Sequence, residues 1–136
     1  MEQAVPRKLE SLTPLVGLVR EFLEREQLSL ELAFDMDLVI EELFTNLVRH
    51  SRGAGEGSDV QVELTHLPGE VRVRLKAAEP SPFDPTTAPR VNVNLPIEQR
   101  RAGGLGIQFV RELCREFRYE WRDGVGTTLV VMGVSD

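Results

Sequence analysis

A chain of 136 residues, 41% hydrophobic and 28% charged, has the length of one globular domain and enough apolar matter for a core. Its 22 acidic and 16 basic residues leave a net charge of −6 with no run of Lys or Arg, which argues against direct nucleic-acid binding. A single cysteine excludes an internal disulfide, no apolar stretch reaches membrane-spanning length, and the first residues lack a secretory pattern, so the expected location is cytoplasmic, away from any membrane.

Residues 2–10 are expected to hold a short first strand. Ser11 stands at an N-cap position, and Leu15, Leu18, Val19, Phe22 and Leu23 recur at helical spacing, which predicts a helix over 12–26 with Pro14 in its first turn. Ser29 reads as the cap of a second helix, whose stripe of Met36, Ile40, Leu43, Phe44 and Leu47 carries it to His50. The glycine-rich run 51–59 is a connector. Val60, Val62 and Leu64, then Val71, Val73 and Leu75, alternate with polar residues around Pro68-Gly69, predicting a hairpin with one buried face. Residues 79–102 carry five prolines and no sustained periodicity, the pattern of a lid, a binding loop or a disordered segment. Ile107, Phe109, Val110, Leu113, Cys114 and Phe117 predict a third helix over 105–117. A second hairpin follows, from 118–122 through a turn at 123–126 to 127–132. The expected fold is α+β: one domain over 1–136, a two-layer sandwich of a mostly antiparallel sheet with helices packed on one face.

Glu42 and Asn46 lie one helical turn apart and project from the same face, between Asp35 and Val39 before them and His50 after. Such a pair is either part of a solvated stripe or a functional couple, with Asn46 offering an oxygen to a hard cation such as Mg²⁺ and Glu42 orienting or deprotonating a nucleophile. Gly103-Gly104-Leu105-Gly106 opens the third helix. It is either simple turn chemistry or an anion seat, since glycines let backbone N–H groups approach a phosphate at a helix N-terminus. It matches neither a Rossmann fingerprint, because Phe109 stands where the third glycine belongs, nor a P-loop. Arg100 and Arg101 just upstream are candidate phosphate clamps. His50 and His66 have no ligand-spaced partners for zinc, and Cys114 reads as a small buried hydrophobe.

Taken in order, Asp37 to His50, Pro82-Phe83-Asp84-Pro85, Gly103 to Val110 and Gly126-Thr127-Thr128-Leu129 resemble the bacterial anti-sigma factor serine/threonine kinases. These are a branch of the ATPase superfamily shared by sensor histidine kinases, gyrase, mismatch-repair ATPases and a heat-shock chaperone. The resemblance implies the histidine-kinase-like ATPase fold, with Glu42 activating the attacking hydroxyl and Asn46 as the Mg²⁺ ligand. It implies an ATP site made of Asn46, Arg49, His50, Phe83, Arg101, Gly103, Gly104, Leu105, Gly106 and Thr128. It further implies phosphorylation of a serine or threonine on an anti-anti-sigma-type antagonist protein, a sigma factor as a further partner, and a homodimer.

One position departs from that pattern. Counting back from Phe83, Ala78 and Pro80 stand where the family has the Asp and Gly that receive the adenine. Alanine accepts no hydrogen bond, a loss of about 1–3 kcal/mol or roughly 5- to 150-fold in affinity. Glu79 would restore a carboxylate only by a one-residue shift, which on a strand places it on the opposite side from Ala78. The second reading is therefore a non-catalytic protein-binding switch that keeps the fold and has lost the nucleotide.

Overall fold

The computed structural model describes residues 1–50, 58–87 and 104–134, with the side chains of residues 104 and 105 excepted. In chain order the elements are β1 (Glu2–Pro6), α1 (Leu12–Arg25), α2 (Glu31–Arg49), β2 (Asp59–Leu67), β3 (Glu70–Ala78), α3 (Gly104–Leu113), β4 (Glu116–Arg122) and β5 (Val125–Gly133). Short 3-10 turns lie at Leu9–Ser11 and Pro85–Thr87. The five strands form one antiparallel sheet in the order β1-β2-β3-β5-β4.

Alternation decides which side of the sheet is buried. Val60, Val62 and Leu64 of β2, Val71, Val73, Leu75 and Ala77 of β3, and Val130 and Met132 of β5 share a core with the helices. From α1 come Leu15, Leu18, Val19, Phe22 and Leu23, and from α2 come Met36, Val39, Ile40, Leu43, Phe44 and Leu47, the stripes that helical spacing predicts. The α+β sandwich expected from the sequence is the fold observed.

Several boundaries differ from expectation, each for a local reason. α3 stops at Leu113, not Phe117: the Arg115 N–H donates to the Val131 carbonyl at 2.7 Å, and Phe117 lies in β4 opposite Val130. Leu113, Cys114 and Phe117 fit a helix, but Phe117, Tyr119 and Trp121 fit a strand equally well, and pairing with β5 selects the strand. The second hairpin turns on two residues, Asp123 and Gly124, at φ +52° and +79°, so Val125 and Gly126 already belong to β5. Ser11 does not cap α1; its Oγ donates to the Pro6 carbonyl at 2.7 Å and secures the exit from β1. Ser29 does serve the start of α2, its Oγ accepting the Glu31 N–H at 3.1 Å. Of the predicted loop over 79–102, residues 79–87 are described and the remainder lie outside the described residues. In the described part Asp84 Oδ1 accepts from Thr86 N at 2.8 Å and Thr86 Oγ1 at 2.6 Å, and Arg111 of α3 donates to the Thr86 carbonyl at 2.9 Å.

Candidate functional site

Two groups of side chains converge on the C-terminal half of α2. In the first, the Glu42 carboxylate lies against the opening turn of α3. A Cβ added to Gly106 would overlap that carboxylate, so the bare Cα at 106 makes the approach possible. Glu42 Oε1 is buried with no hydrogen-bond partner among the described residues. Burial pushes the Glu42 carboxyl pKa up, the Arg49 charge pulls it down and Glu41 adds to the rise. A carboxylate so placed takes up a proton more readily than one in water. Asn46, one turn on, is half-buried, and its amide makes no hydrogen bond among the described residues. The Glu42 carboxylate and the opening turn of α3 thus meet at one corner, with the Asn46 amide one turn further along α2.

The second group lies where β3 ends. The inward alternation of Val71, Val73, Leu75 and Ala77 continues one step past the strand to Glu79, which is 5% exposed, while Ala78 points outward. The continuation holds because the Glu79 N–H donates to the Gly124 carbonyl at 2.8 Å and the Glu79 carbonyl accepts from Trp121 Nε1 at 2.9 Å. Glu79 Oε2 accepts the Tyr119 hydroxyl, and that hydroxyl accepts the Phe83 N–H at 3.1 Å. Burial, and then the bond to Glu79, push the Tyr119 phenol up to about 12. Gly126 of β5 faces the carboxylate, which occupies the space a Cβ would need. Thr128, buried, follows two residues along the same face of β5.

Between these strand ends and α2 is a cavity of about 190 Å³ lined by Arg7, Leu47, His50, Glu79 and residues 80–83. The His50 and Phe83 rings stack across it, with centroids 3.9 Å apart and planes at 28°. Arg7 spans the wall, donating from Nε to the Leu47 carbonyl at 3.1 Å and from Nη1 to the Ala78 carbonyl at 2.6 Å. The volume falls below the ~300–1,000 Å³ typical of a whole drug-sized ligand, so the cavity can hold only part of a large one.

Of the residues singled out by sequence, Glu42 and Gly106 meet directly, Asn46 lies on the same helix, and His50 and Phe83 meet at the cavity. Thr128 shares its end of the sheet with Glu79, and Arg49 is exposed and acts on Glu42 through its charge. Gly104 opens α3; the Leu105 side chain, Arg101 and Gly103 lie outside the described residues. The count from Phe83 puts Ala78 at the adenine position; in the structure Ala78 is on the outer face of the sheet, and the inward carboxylate at this strand end is Glu79. Sequence reasoning missed Arg7, Tyr119 and Trp121. The last two were signalled by the apolar alternation of 117, 119 and 121.

The sequence profile described as the histidine kinase-like ATPase domain matches residues 5–132. No match emerges among curated protein sequences. Among solved structures the chain is similar to one in the crystal structure of the SiaB-SiaC complex from Pseudomonas aeruginosa. That likeness has a TM-score of 0.68 at 16% identity and covers 97% of this chain and 88% of that one.

Proposed function

The chain belongs to the histidine kinase-like ATPase domain family, and on that premise we propose that it binds Mg-ATP and phosphorylates a serine or threonine of an antagonist protein, as the kinases it resembles do. One observation carries the reading: the Glu42 carboxylate, whose buried Oε1 has no hydrogen-bond partner among the described residues, lies against Gly106 in the opening turn of α3, one turn of α2 from Asn46.

These residues fit the groups the reading requires. The opening turn of α3 offers backbone N–H groups to phosphate oxygens, with the helix dipole favouring negative charge there. Asn46 would hold Mg²⁺ through its amide oxygen, a hard ligand of the right type. No cluster of three His, Cys, Asp or Glu is present among the described residues, as suits a cation that takes its other ligands from phosphates and water. When bound, Mg²⁺ neutralises charge across the phosphates. Glu42 receives the proton of the partner's hydroxyl as the oxygen bonds to phosphorus and the bond from phosphorus to the leaving diphosphate breaks; its raised pKa suits that transfer. Glu79, inward-facing and near Thr128, takes the role of base acceptor that Ala78 cannot fill, its carboxylate held in place by Tyr119. A protein partner is supported by the similar chain, which comes from the SiaB-SiaC complex. No described helix is long and apolar enough to cross a membrane.

Isothermal titration with an ATP analogue, with and without Mg²⁺, tests the reading. Mg-dependent binding in the micromolar range that is lost in Asn46→Ala supports it. No binding into the millimolar range overturns it in favour of a protein-binding switch without nucleotide.

A further inference from the structure

The two edges of the sheet are defended unequally. β1 is five residues long and ends at Pro6, which has no N–H to offer, whereas β4 runs seven residues without proline or lysine, in unbroken register with β5 from Glu116 to Arg122. The two-residue turn at Asp123-Gly124 makes Arg122 and Val125 the first hydrogen-bonded pair of the hairpin. The even-numbered residues of β4 therefore bond to β5. Residues 117, 119 and 121 aim their N–H and C=O groups at the open edge, where no described element pairs with them.

We infer that β4 pairs with β4 of a second copy, antiparallel about a two-fold axis at Tyr119, so that two sheets join into one. The occupant is read from the order of charges, Glu116, Arg118, Glu120, Arg122, which is its own complement when reversed. With the axis at Tyr119, Arg118 of each copy faces Glu120 of the other, and Glu116 faces Arg122. Phe117 meets Trp121, and the backbone groups at 117, 119 and 121 become hydrogen-bonded pairs. Moving the axis one residue to Arg118 sets Arg118 against itself and Glu116 against Glu120. Moving it to Glu120 sets Glu120 against itself and Arg118 against Arg122. Like charges directly opposite are unfavourable, so both neighbouring registers are rejected by the same residues that accept this one.

The side chains that would be covered suit the contact. Trp121 is 39% exposed in the single chain, apolar surface at the sheet edge. The Arg118–Glu116 and Arg122–Glu120 pairs, each 3.1 Å, are solvent-exposed and weak, so exchanging them for contacts across the seam costs little. Charge thus selects the register, while the ladder and the aromatic residues supply the attraction.

Sedimentation equilibrium without nucleotide tests this independently of the function proposed above. Wild type is expected to dimerise, and Arg118→Glu and Glu120→Arg are each expected to raise the dimer dissociation constant about tenfold or more by opposing like charges twice across the axis. The double variant, with the two charges exchanged, is expected to return to within about threefold of wild type. Both changes are at exposed positions, and a thermal melt of each of the three variants confirms the fold. A wild type that stays monomeric, a dimer indifferent to both single changes, or a double variant no tighter than the singles overturns the inference.

Discussion

Replacing Tyr119 by Phe deletes one oxygen that serves two partners. It is the donor to the buried Glu79 carboxylate and the acceptor for the Phe83 N–H. The second loss is small, because that N–H is at the exposed end of the contact and water replaces the hydroxyl. The first is a hydrogen bond to an ionised group, worth about 1.5–3 kcal/mol, and the partial exposure of Tyr119 puts the expectation near the lower end, about 1.5 kcal/mol. For a domain of this size that is roughly a 6 °C fall in Tm. Urea denaturation of wild type, Tyr119→Phe, Glu79→Gln and the double variant isolates the pair, with an expected coupling of about 1 kcal/mol. Tyr119 is the one tyrosine of the chain, so its ultraviolet titration reads this phenol alone, with a midpoint near 12 in the folded wild type. By linkage, the stabilisation that goes with this raised value is present below about pH 10 and is lost as pH rises towards 12. A Tyr119→Phe variant within about 0.3 kcal/mol of wild type, or strict additivity in the cycle, refutes the reasoning.

Gly106→Ala puts a methyl where the Glu42 carboxylate lies; that carboxylate ends a flexible side chain and swings aside, so with the gain in helix propensity the net change in a thermal melt is expected within about 1 kcal/mol of wild type, while the Glu42 carboxylate is displaced from the start of α3. Gly17→Ala is its control: the position is helical with open space around it, and the expected change is neutral to about 1 kcal/mol stabilising. Glu42→Gln separates stability from chemistry. Because the folded protein binds the Glu42 proton more tightly than the unfolded chain does, the contribution of this group is full below the unfolded value of about 4.3 and is lost as pH rises through the folded one. The glutamine variant is therefore expected to be more stable than wild type at pH 7, with the gap closing as pH falls towards 4, and the proposed function adds a fall in phosphoryl transfer of about 10²- to 10⁴-fold. A gap that widens on acidification contradicts the assigned cause.

The core was legible because periodicity reports burial directly. The stripe from Met36 to Leu47 and the alternations of Val60 to Leu64 and Val71 to Leu75 all became core. The end of α3 was illegible because Leu113, Cys114 and Phe117 satisfy a 3.6-residue repeat even though Phe117 begins a strand, and only pairing with Val130 distinguishes the two. Glu42, Asn46 and Gly106 were readable as separate candidates, and the packing of Glu42 on Gly106 is a tertiary fact that no spacing contains. Counting residues from Phe83 pointed to Ala78, whereas strand alternation from Val71 points to Glu79. The second rule prevails because side-chain direction is fixed by pleat and not by distance to a motif. Arg7 carried no signal at all, since its value lies in two carbonyls that are 40 and 71 residues away in sequence.

That last side chain also has a mechanical meaning. Arg7 is a tie rod: one guanidinium fastens the carbonyl of Leu47, near the end of α2, to that of Ala78, at the end of β3, and so sets the width of the gap between helix and sheet. Whatever enters the gap meets walls already spaced and loses less freedom in ordering them. A protein docking on the outer surface of α2 and tilting it would drag the end of β3 along, so the two binding events would share one coordinate. Reciprocity then requires that the small ligand alter the grip on the protein by the same factor that the protein alters the grip on the small ligand.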